Sequence, residues 1–394
     1  MGRVALPVTL LALAALLGCE PSTAVAPPTA SGSFTVLREV GRESDGHSPL
    51  GLVTASVPWD GDFVILEPLD GRVRRIPGTP GAEPRDLGSR GGGPGEFIQP
   101  AIIGVAEGKL WVMDRGARRV TWFRPDGAVD REITFLSTMV TVPGYTAPQE
   151  PYGSGRFILR PGQEWRQPDG SIPSVAILTA DSAGNDARPL VVMAPSRSVS
   201  AQVPSSSGDA VSFVRQIFSD APILAFDAEG KGGMVVERSA TMGHPASIAR
   251  VTRFGAHGDT VAVFPVEMPV HPVDQEAADS LILARYPPRA RGGVEATPRA
   301  HVALFREHLF IPDTVPPVEW AFLDLDGRSW LGGWASDGQR PWKVFGPAGE
   351  PLGGVDLPAD FRLQGARNDS IWGVRTGEWD ETIFAVARVV LGAP

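Results

Sequence analysis

Short apolar stretches alternate with glycine-, proline- and aspartate-bearing turns in a unit that recurs along the chain. In the clearest copy, Gly108 opens a strand that ends at Asp114, a polar loop follows, and a second strand runs from Arg119 to Phe123. One such unit has two apolar faces that it cannot bury alone, whereas several units stacked side by side bury them against one another. The pattern therefore predicts a repeat architecture.

Six copies of this unit align on their leading turns. The alignment places a β-branched or aromatic residue in one column, and such residues suit a pleated, buried surface. We therefore predict that the column is core rather than an aromatic ligand box. Its members are Val64, Trp111, Ile158, Val235, Trp330 and Trp372.

Six repeats of four short strands predict an all-β fold, a six-bladed β-propeller, with a seven-bladed ring as the alternative. The segment Ser33–Val40 has the pattern of a strand but precedes the first full repeat, and the last repeat, 362–391, is short of strands. We expect this N-terminal strand to complete the last blade and close the ring. The segment from Asp274 to Tyr286 predicts a helix, capped by Asp274 and ended by Pro287, in an insertion between the fourth and fifth blades.

The N-terminus has the pattern of an export signal. A short basic start precedes an apolar stretch, 4–17, whose length fits a signal peptide better than a membrane span. Leu16-Leu17-Gly18-Cys19 resembles the bacterial lipobox, which implies cleavage before Cys19 and a lipid on that residue. The Pro-, Ala-, Ser- and Thr-rich stretch that follows predicts a flexible tether. The predicted organisation is a lipoprotein signal peptide over 1–18, a tether over 19–31 and the propeller over 32–394.

Composition removes several classes of partner. The formal net charge is −9 and no basic run exists, so we expect no nucleic acid partner, because phosphate binding needs a basic surface. Cys19 is the only cysteine, which excludes an intrachain disulfide and a cysteine zinc cluster. No pair of histidines has a recognised metal-ligand spacing, so no metal or cofactor is expected.

A family resemblance supports the same fold. The run Gly91-Gly92-Gly93-Pro94-Gly95-Glu96-Phe97, the repeat over 108–123, and Pro316-Pro317 ahead of the repeat at Asp324–Trp330 resemble the six-bladed propeller lipoproteins of environmental bacteria. Those proteins are similar to NHL-repeat propellers. The resemblance covers most of the mature chain and implies a propeller in the cell envelope. It implies no catalytic residue, because members of the family largely lack an assigned activity.

Residues that follow the Trp111-type strands are expected on one face of the ring. Several are arginines, whose planar fork matches a carboxylate, so this rim is a candidate site for an anionic or aromatic ligand. The alternative is that these are solvated loops whose arginines pair with acidic neighbours. The candidate ligand-binding residues are Arg115, Arg160, Arg238, Trp334 and Arg375.

Two functions remain open from the sequence. The favoured one is a lipid-anchored, extracytoplasmic module on the periplasmic or cell-surface side that binds a small anionic ligand or a protein. The other is a propeller hydrolase or lyase with a site at the central channel. No motif supports the enzyme: Gly91–Gly95 lacks the lysine of a P-loop, no Gly-x-Ser-x-Gly elbow occurs, and Asp324–Gly327 predicts a β-turn rather than a calcium loop.

Overall fold

A computed structural model of the protein describes most of the chain beyond its N-terminus. Cys19, with the predicted leader and tether, lies outside the described residues, as does the stretch that follows the predicted helix. The described residues are 32–42, 46, 49–135, 145, 150–153, 155–161, 173–195, 200–204, 211–227, 229–238, 247–286, 297–309 and 311–394.

Six four-stranded antiparallel sheets are the blades of a ring, and strand β1 (Ser33–Val40) precedes them. From the inner strand outward, the first blade is β2 (Ala55–Trp59), β3 (Asp62–Glu67), β4 (Arg72–Ile76) and β5 (Arg85–Gly88). The second is β6 (Pro100–Ala106), β7 (Lys109–Asp114), β8 (Arg119–Phe123) and β9 (Val129–Thr134). The third is β10 (Glu150–Tyr152), β11 (Arg156–Leu159), β12 (Val175–Ala180) and β13 (Arg188–Met193).

The second half of the chain adds two insertions to the blades. After the hairpin of β14 (Ser200–Pro204) and β15 (Val211–Arg215), the fourth blade is β16 (Ile223–Phe226), β17 (Gly232–Glu237), β18 (Ile248–Gly255) and β19 (Thr260–Glu267). Helices α1 (Gln275–Arg285) and α2 (Pro298–His308) follow. The fifth blade is β20 (Trp320–Leu323), β21 (Ser329–Gly332), β22 (Gln339–Phe345) and β23 (Pro351–Pro358), and the sixth is β24 (Arg362–Arg367), β25 (Ser370–Thr376), β26 (Thr382–Val390) and β1.

The N-terminal strand closes the ring, as the sequence predicted. β1 pairs with β26 in antiparallel register, from Ser33 opposite Val390 to Val40 opposite Phe384. Each of the six interfaces between neighbouring blades also holds its own cluster of buried apolar side chains, so the circle closes after six blades and the seven-bladed alternative is wrong. All six residues of the predicted core column are buried in the second strands of their blades.

Aspartates shape several of the turns. Asp324 accepts hydrogen bonds from the backbone N–H groups of Asp326 and Arg328 through one carboxylate oxygen, and from the Trp330 indole through the other. Asp181 and Asp227 each hold the backbone N–H groups two and four residues ahead in the same way. The Asp324 segment is thus the predicted turn, and its carboxylate is engaged by the protein itself.

Antiparallel order gives the ring two distinct faces. Turns between the second and third strands, and the connections between blades, lie on one face, which we call the rim face. Turns between the first and second strands, and between the third and fourth, lie on the other, which we call the hairpin face. Since β1 runs parallel to β25, it begins at the hairpin face and ends at the rim face.

The two insertions pack together into a small cap on the rim face. The β14–β15 hairpin follows β13 and the helices follow β19, so both depart from blade connections. Val203 and Val214 of the hairpin share one buried cluster with Ile282 of α1 and Val302 and Phe305 of α2. Helix α1 and its Asp274 cap were predicted between the fourth and fifth blades, whereas α2 was not. No helix in the described part of the chain is long and apolar enough to cross a membrane.

Candidate functional site

The rim face is built around polar residues at the ends of the second strands. Asp114, at the end of β7, is fully buried and accepts hydrogen bonds from the backbone N–H groups of Ile98 and Gln99 at 2.7 and 3.0 Å. Glu67, at the end of β3, is equally buried and accepts one from the Gly51 N–H at 2.5 Å. Both carboxylates therefore hold the incoming blade connection.

Two of the predicted ligand residues lie against the cap. Arg238 is half-buried and donates to the carbonyl oxygens of Ala221 and Val318, both at 2.8 Å. Burial lowers the pKa of its guanidinium to about 10, although Asp220 and Glu319 nearby oppose this. The Trp334 indole donates to Pro316 O at 2.7 Å, and its ring packs 5.9 Å from that of Phe218. Both side chains bind the segments that carry the cap.

Of the remaining predicted residues, two form ion pairs and one is exposed. Arg160 forms an ion pair with Glu150 at 2.8 Å, and Arg375 forms one with Glu39 at 2.5 Å. Arg115 is exposed just after β7. All five candidates thus lie at the rim-face ends of second strands, with Arg375 still inside β25. Each of the three arginines beyond Arg115 nevertheless has its own protein partner. A ligand role for them stays a prediction.

An exposed apolar surface, which the sequence reasoning missed, covers the rim face of the sixth, first and second blades. Four large side chains in blade connections or second-to-third-strand turns are exposed: Leu52 at 46%, Leu69 at 71%, Ile98 at 52% and Trp379 at 74%. Two of them sit next to acidic residues at turn tips, Leu69 beside Asp70 and Trp379 between Glu378 and Asp380. The sequence signal for this surface is an apolar residue at the tip of a turn. We call this surface the open half-rim.

Direct contacts join the segments of the open half-rim. Leu50, next to the Leu52 segment, bridges Thr382 of the Trp379 turn. The Gly51 N–H binds Glu67, which precedes the Leu69 turn. Ile98 is held by Asp114 and lies against Gly116, whose missing Cβ leaves room for the Ile98 side chain. Gly71 of the Leu69 turn lies against the Phe97 carbonyl oxygen, next to Ile98. The segments that carry the exposed side chains are therefore contiguous.

Charge is unevenly distributed over the open half-rim. Arg90, Arg115 and Arg118 are exposed on the side of the second blade, and none forms an ion pair within the described part of the chain. The Trp379 turn of the sixth blade carries Glu378 and Asp380 instead. A partner would meet a basic edge on one side and an acidic one on the other.

The hairpin face carries a cavity of about 450 Å³. It lies where turns of the second, third and fourth blades converge, and Trp122, Arg131 and Phe157 are among the residues that line it. Among the described residues, no group of three or more His, Cys, Asp or Glu side chains is placed to hold a metal ion.

Comparisons with known proteins add only distant likenesses. No protein-family model matches the chain, and no curated protein matches it in sequence. Among solved structures, a PQQ-bound aldose sugar dehydrogenase from Streptomyces coelicolor is 12% identical at a TM-score of 0.44, covering 92% of this chain and 100% of its own. A member of the DUF4221 family from Bacteroides vulgatus is 8% identical at 0.44, covering 92% and 99%. A gluconolactonase from Xanthomonas campestris is 11% identical at 0.34, covering 93% and 97%. Likenesses this remote carry no functional argument, so the six-bladed fold rests on the chain's own sheet topology.

Proposed function

We propose that this chain is a lipid-anchored, extracytoplasmic propeller of the cell envelope that binds a partner protein through its open half-rim. The observation that carries the proposal is the connected set of exposed Leu52, Leu69, Ile98 and Trp379 on one face of three adjacent blades. Single exposed apolar residues are ordinary on a protein surface, whereas a connected set of large ones marks an interaction site.

The chemistry of this surface favours a protein over a small molecule. Exposed tryptophan and arginine are the side chains that most often anchor protein interfaces, and here Trp379 and Arg115 flank the apolar residues. The surface consists of turn tips. The partner we expect presents an apolar patch, with acidic side chains opposite the arginines of the second blade.

The position of the N-terminus supports the same arrangement. Because β1 begins at the hairpin face, a tether that precedes Ser33 joins the ring on the side away from the open half-rim. The thirteen residues from Cys19 to Ser31 reach at most about 45 Å when extended. A lipid on Cys19 would hold the ring near the membrane while the docking surface stays accessible.

Site-specific photo-crosslinking tests the docking surface. A benzophenone amino acid replaces Leu69, Ile98 or Trp379 in the full-length protein in its native envelope, and Val263 serves as control. Val263 is similarly exposed, at 47%, but lies on the outer strand β19 of the fourth blade. The proposal expects one and the same adduct from the three rim positions and none from the control. Different adducts at each position, or the same adduct at 263, would contradict it.

Fractionation tests the anchor separately. The change Cys19→Ser removes the thiol that the lipid requires, so the protein is expected to leave the membrane fraction while its melting temperature in detergent stays the same. A Cys19→Ser protein that stays membrane-bound after a carbonate wash would overturn the lipid anchor without touching the docking surface.

A further inference from the structure

The cavity on the hairpin face has an apolar floor. Trp122 and Ile133 of the second blade and Phe157 of the third line it, and the Trp122 and Phe157 rings meet edge to face at 6.3 Å. Its volume of about 450 Å³ falls within the range of small-molecule sites, which are typically apolar with a few polar groups that fix orientation. The floor would therefore take an apolar group of modest size.

Most of the charged groups around this floor already form ion pairs with neighbouring residues. Lys109 is paired with Asp130 at 2.7 Å, Arg156 with Asp186 at 3.1 Å, and Lys231 with Glu229. The Lys109 ammonium holds the pKa of Asp130 below its usual value, and Arg188 and Arg156 do the same for Asp186. These pairs leave little net charge for a ligand to neutralise, so a purely anionic ligand gains little from them.

Two lining residues of opposite charge have no ion-pair partner within the described part of the chain, and Asp130 acts on Arg131 only at longer range. The guanidinium of Arg131 lies 4.5 Å from the centroid of the Trp122 ring, and Arg131 forms no ion pair within the described residues. Glu107, in the turn between β6 and β7, also forms none there. The stacking over Trp122 positions Arg131 at the edge of the apolar floor. Among the described residues, one cation and one anion that form no ion pair thus line the same cavity.

We propose that this cavity binds a zwitterionic ligand with an apolar side chain, an amino acid or a short peptide. Its carboxylate pairs with Arg131, its ammonium pairs with Glu107, and its side chain packs on the half-buried Ile133, beside the nearly fully buried Trp122 and Phe157. A guanidinium and a carboxylate each form stronger hydrogen bonds with an ionised partner than with a neutral one. The site lies on the face opposite the open half-rim, so it is independent of the proposed docking function.

Calorimetric titration of the full-length protein in detergent tests this, with L-leucyl-L-leucine as the probe. Two analogues each remove one charge: N-acetylation removes the ammonium and C-terminal amidation removes the carboxylate. Each is expected to weaken binding by about tenfold or more. No detectable binding of the dipeptide at millimolar concentration, or equal affinity for all three forms, would overturn the proposal.

Matched variants assign each charge to its residue. Arg131→Gln should weaken binding of the dipeptide by about tenfold. It should leave binding of the amidated analogue unaffected, because that analogue already lacks the carboxylate. Glu107→Gln should likewise weaken binding of the dipeptide and leave binding of the N-acetylated analogue unaffected. Arg124→Gln is the control, since Arg124 is an exposed arginine of the same blade outside the cavity lining. An equal loss of affinity in the control, or an Arg131→Gln effect that persists with the amidated analogue, would contradict the assignment.

Discussion

The open half-rim and the cap-covered half of the rim face hold their blade connections with side chains of opposite charge. In the first and second blades, the buried carboxylates of Glu67 and Asp114 accept hydrogen bonds from backbone N–H groups of the blade connections. In the fourth blade, the residue in register with Glu67 and Asp114 is Glu237. Arg238, one residue beyond the end of β17, donates to two backbone carbonyl oxygens instead. The connections there carry the cap and present carbonyl groups to the strand end.

The difference shows how one repeat serves two purposes. A buried backbone group must find a partner, so the sign of the charge that holds each connection follows the backbone group that the connection presents. In the described part of the chain, the connections into the first and second blades carry no helix or hairpin, and Leu69 and Trp379 in the neighbouring turns stay exposed. Long connections in the covered half make the cap, whose apolar core lies between the β14–β15 hairpin and the two helices.

Substitutions in the core that both halves share should lower the stability more than substitutions in either half of the rim face. Trp111→Ala removes a buried aromatic from the interface between the second and third blades, at an expected cost of about 3–5 kcal/mol in the free energy of unfolding. Urea denaturation measures it. Trp379→Ala is the matched control and should change the free energy by no more than about 0.5 kcal/mol. Similar losses for the two tryptophans would contradict the division between core and docking surface.

Replacing one arginine in each half of the rim face should lower the stability by different amounts. Arg238→Ala leaves two carbonyl oxygens beneath the cap without their donor, at an expected cost of about 2–3 kcal/mol. Arg375→Ala, in the open half, breaks a partly exposed ion pair with Glu39 and should cost about 1 kcal/mol or less. Thermal unfolding of both variants measures the difference. An Arg375 variant as unstable as the Arg238 variant would remove the contrast between the halves.

The buried carboxylate of the open half should give the stability a pH dependence. Burial raises the pKa of Glu67 above its ordinary value, although the Gly51 N–H and Arg74 oppose this. Because the folded state favours the protonated form, this contribution to stability is present below the ordinary glutamate pKa. It is lost as the pH rises through the raised value.

The Glu67→Gln variant lacks this titration and can still accept the Gly51 hydrogen bond. Relative to the variant, the wild-type protein should therefore lose stability as the pH rises through that window. Urea midpoints of both proteins over the acidic range measure it. A wild-type protein that gains stability over this window relative to the variant would contradict the sign.

Substitutions on the open half-rim should have the smallest effect on stability and the largest effect on partner binding. Leu69→Ser and the control Val263→Ser should each shift the free energy of unfolding by no more than about 0.5 kcal/mol, because both side chains are exposed. Only Leu69→Ser should abolish the adduct that the crosslinker forms at Ile98. Loss of that adduct in both variants would argue against a docking surface confined to the open half-rim.

Local patterns were sufficient to predict the ring. The recurring strands, the unpaired segment Ser33–Val40 and the Asp274 cap each express a preference that acts over a few residues. Helix α2 had comparable signals, with Thr297 as its cap, Pro298 in its first turn, and Val302, Phe305 and Leu309 on one face.

The division of the rim face could not be read from the sequence. Arg160 and Arg238 follow second strands, and Arg375 lies near the end of one. Whether each faces solvent depends on where two insertions far apart in the chain pack. The partners of these arginines, such as Ala221 O and Val318 O, are backbone atoms that no side-chain pattern encodes.

Hydrogen exchange of the lipidated protein tests the proposed docking surface most directly, comparing native envelope vesicles with the protein purified in detergent. The account predicts slower exchange in the vesicles for amides in the segments around Leu52, Leu69, Ile98 and Trp379, with no change in α1 or α2. Protection confined to the cap, or identical exchange in the two preparations, would contradict a partner bound at the open half-rim.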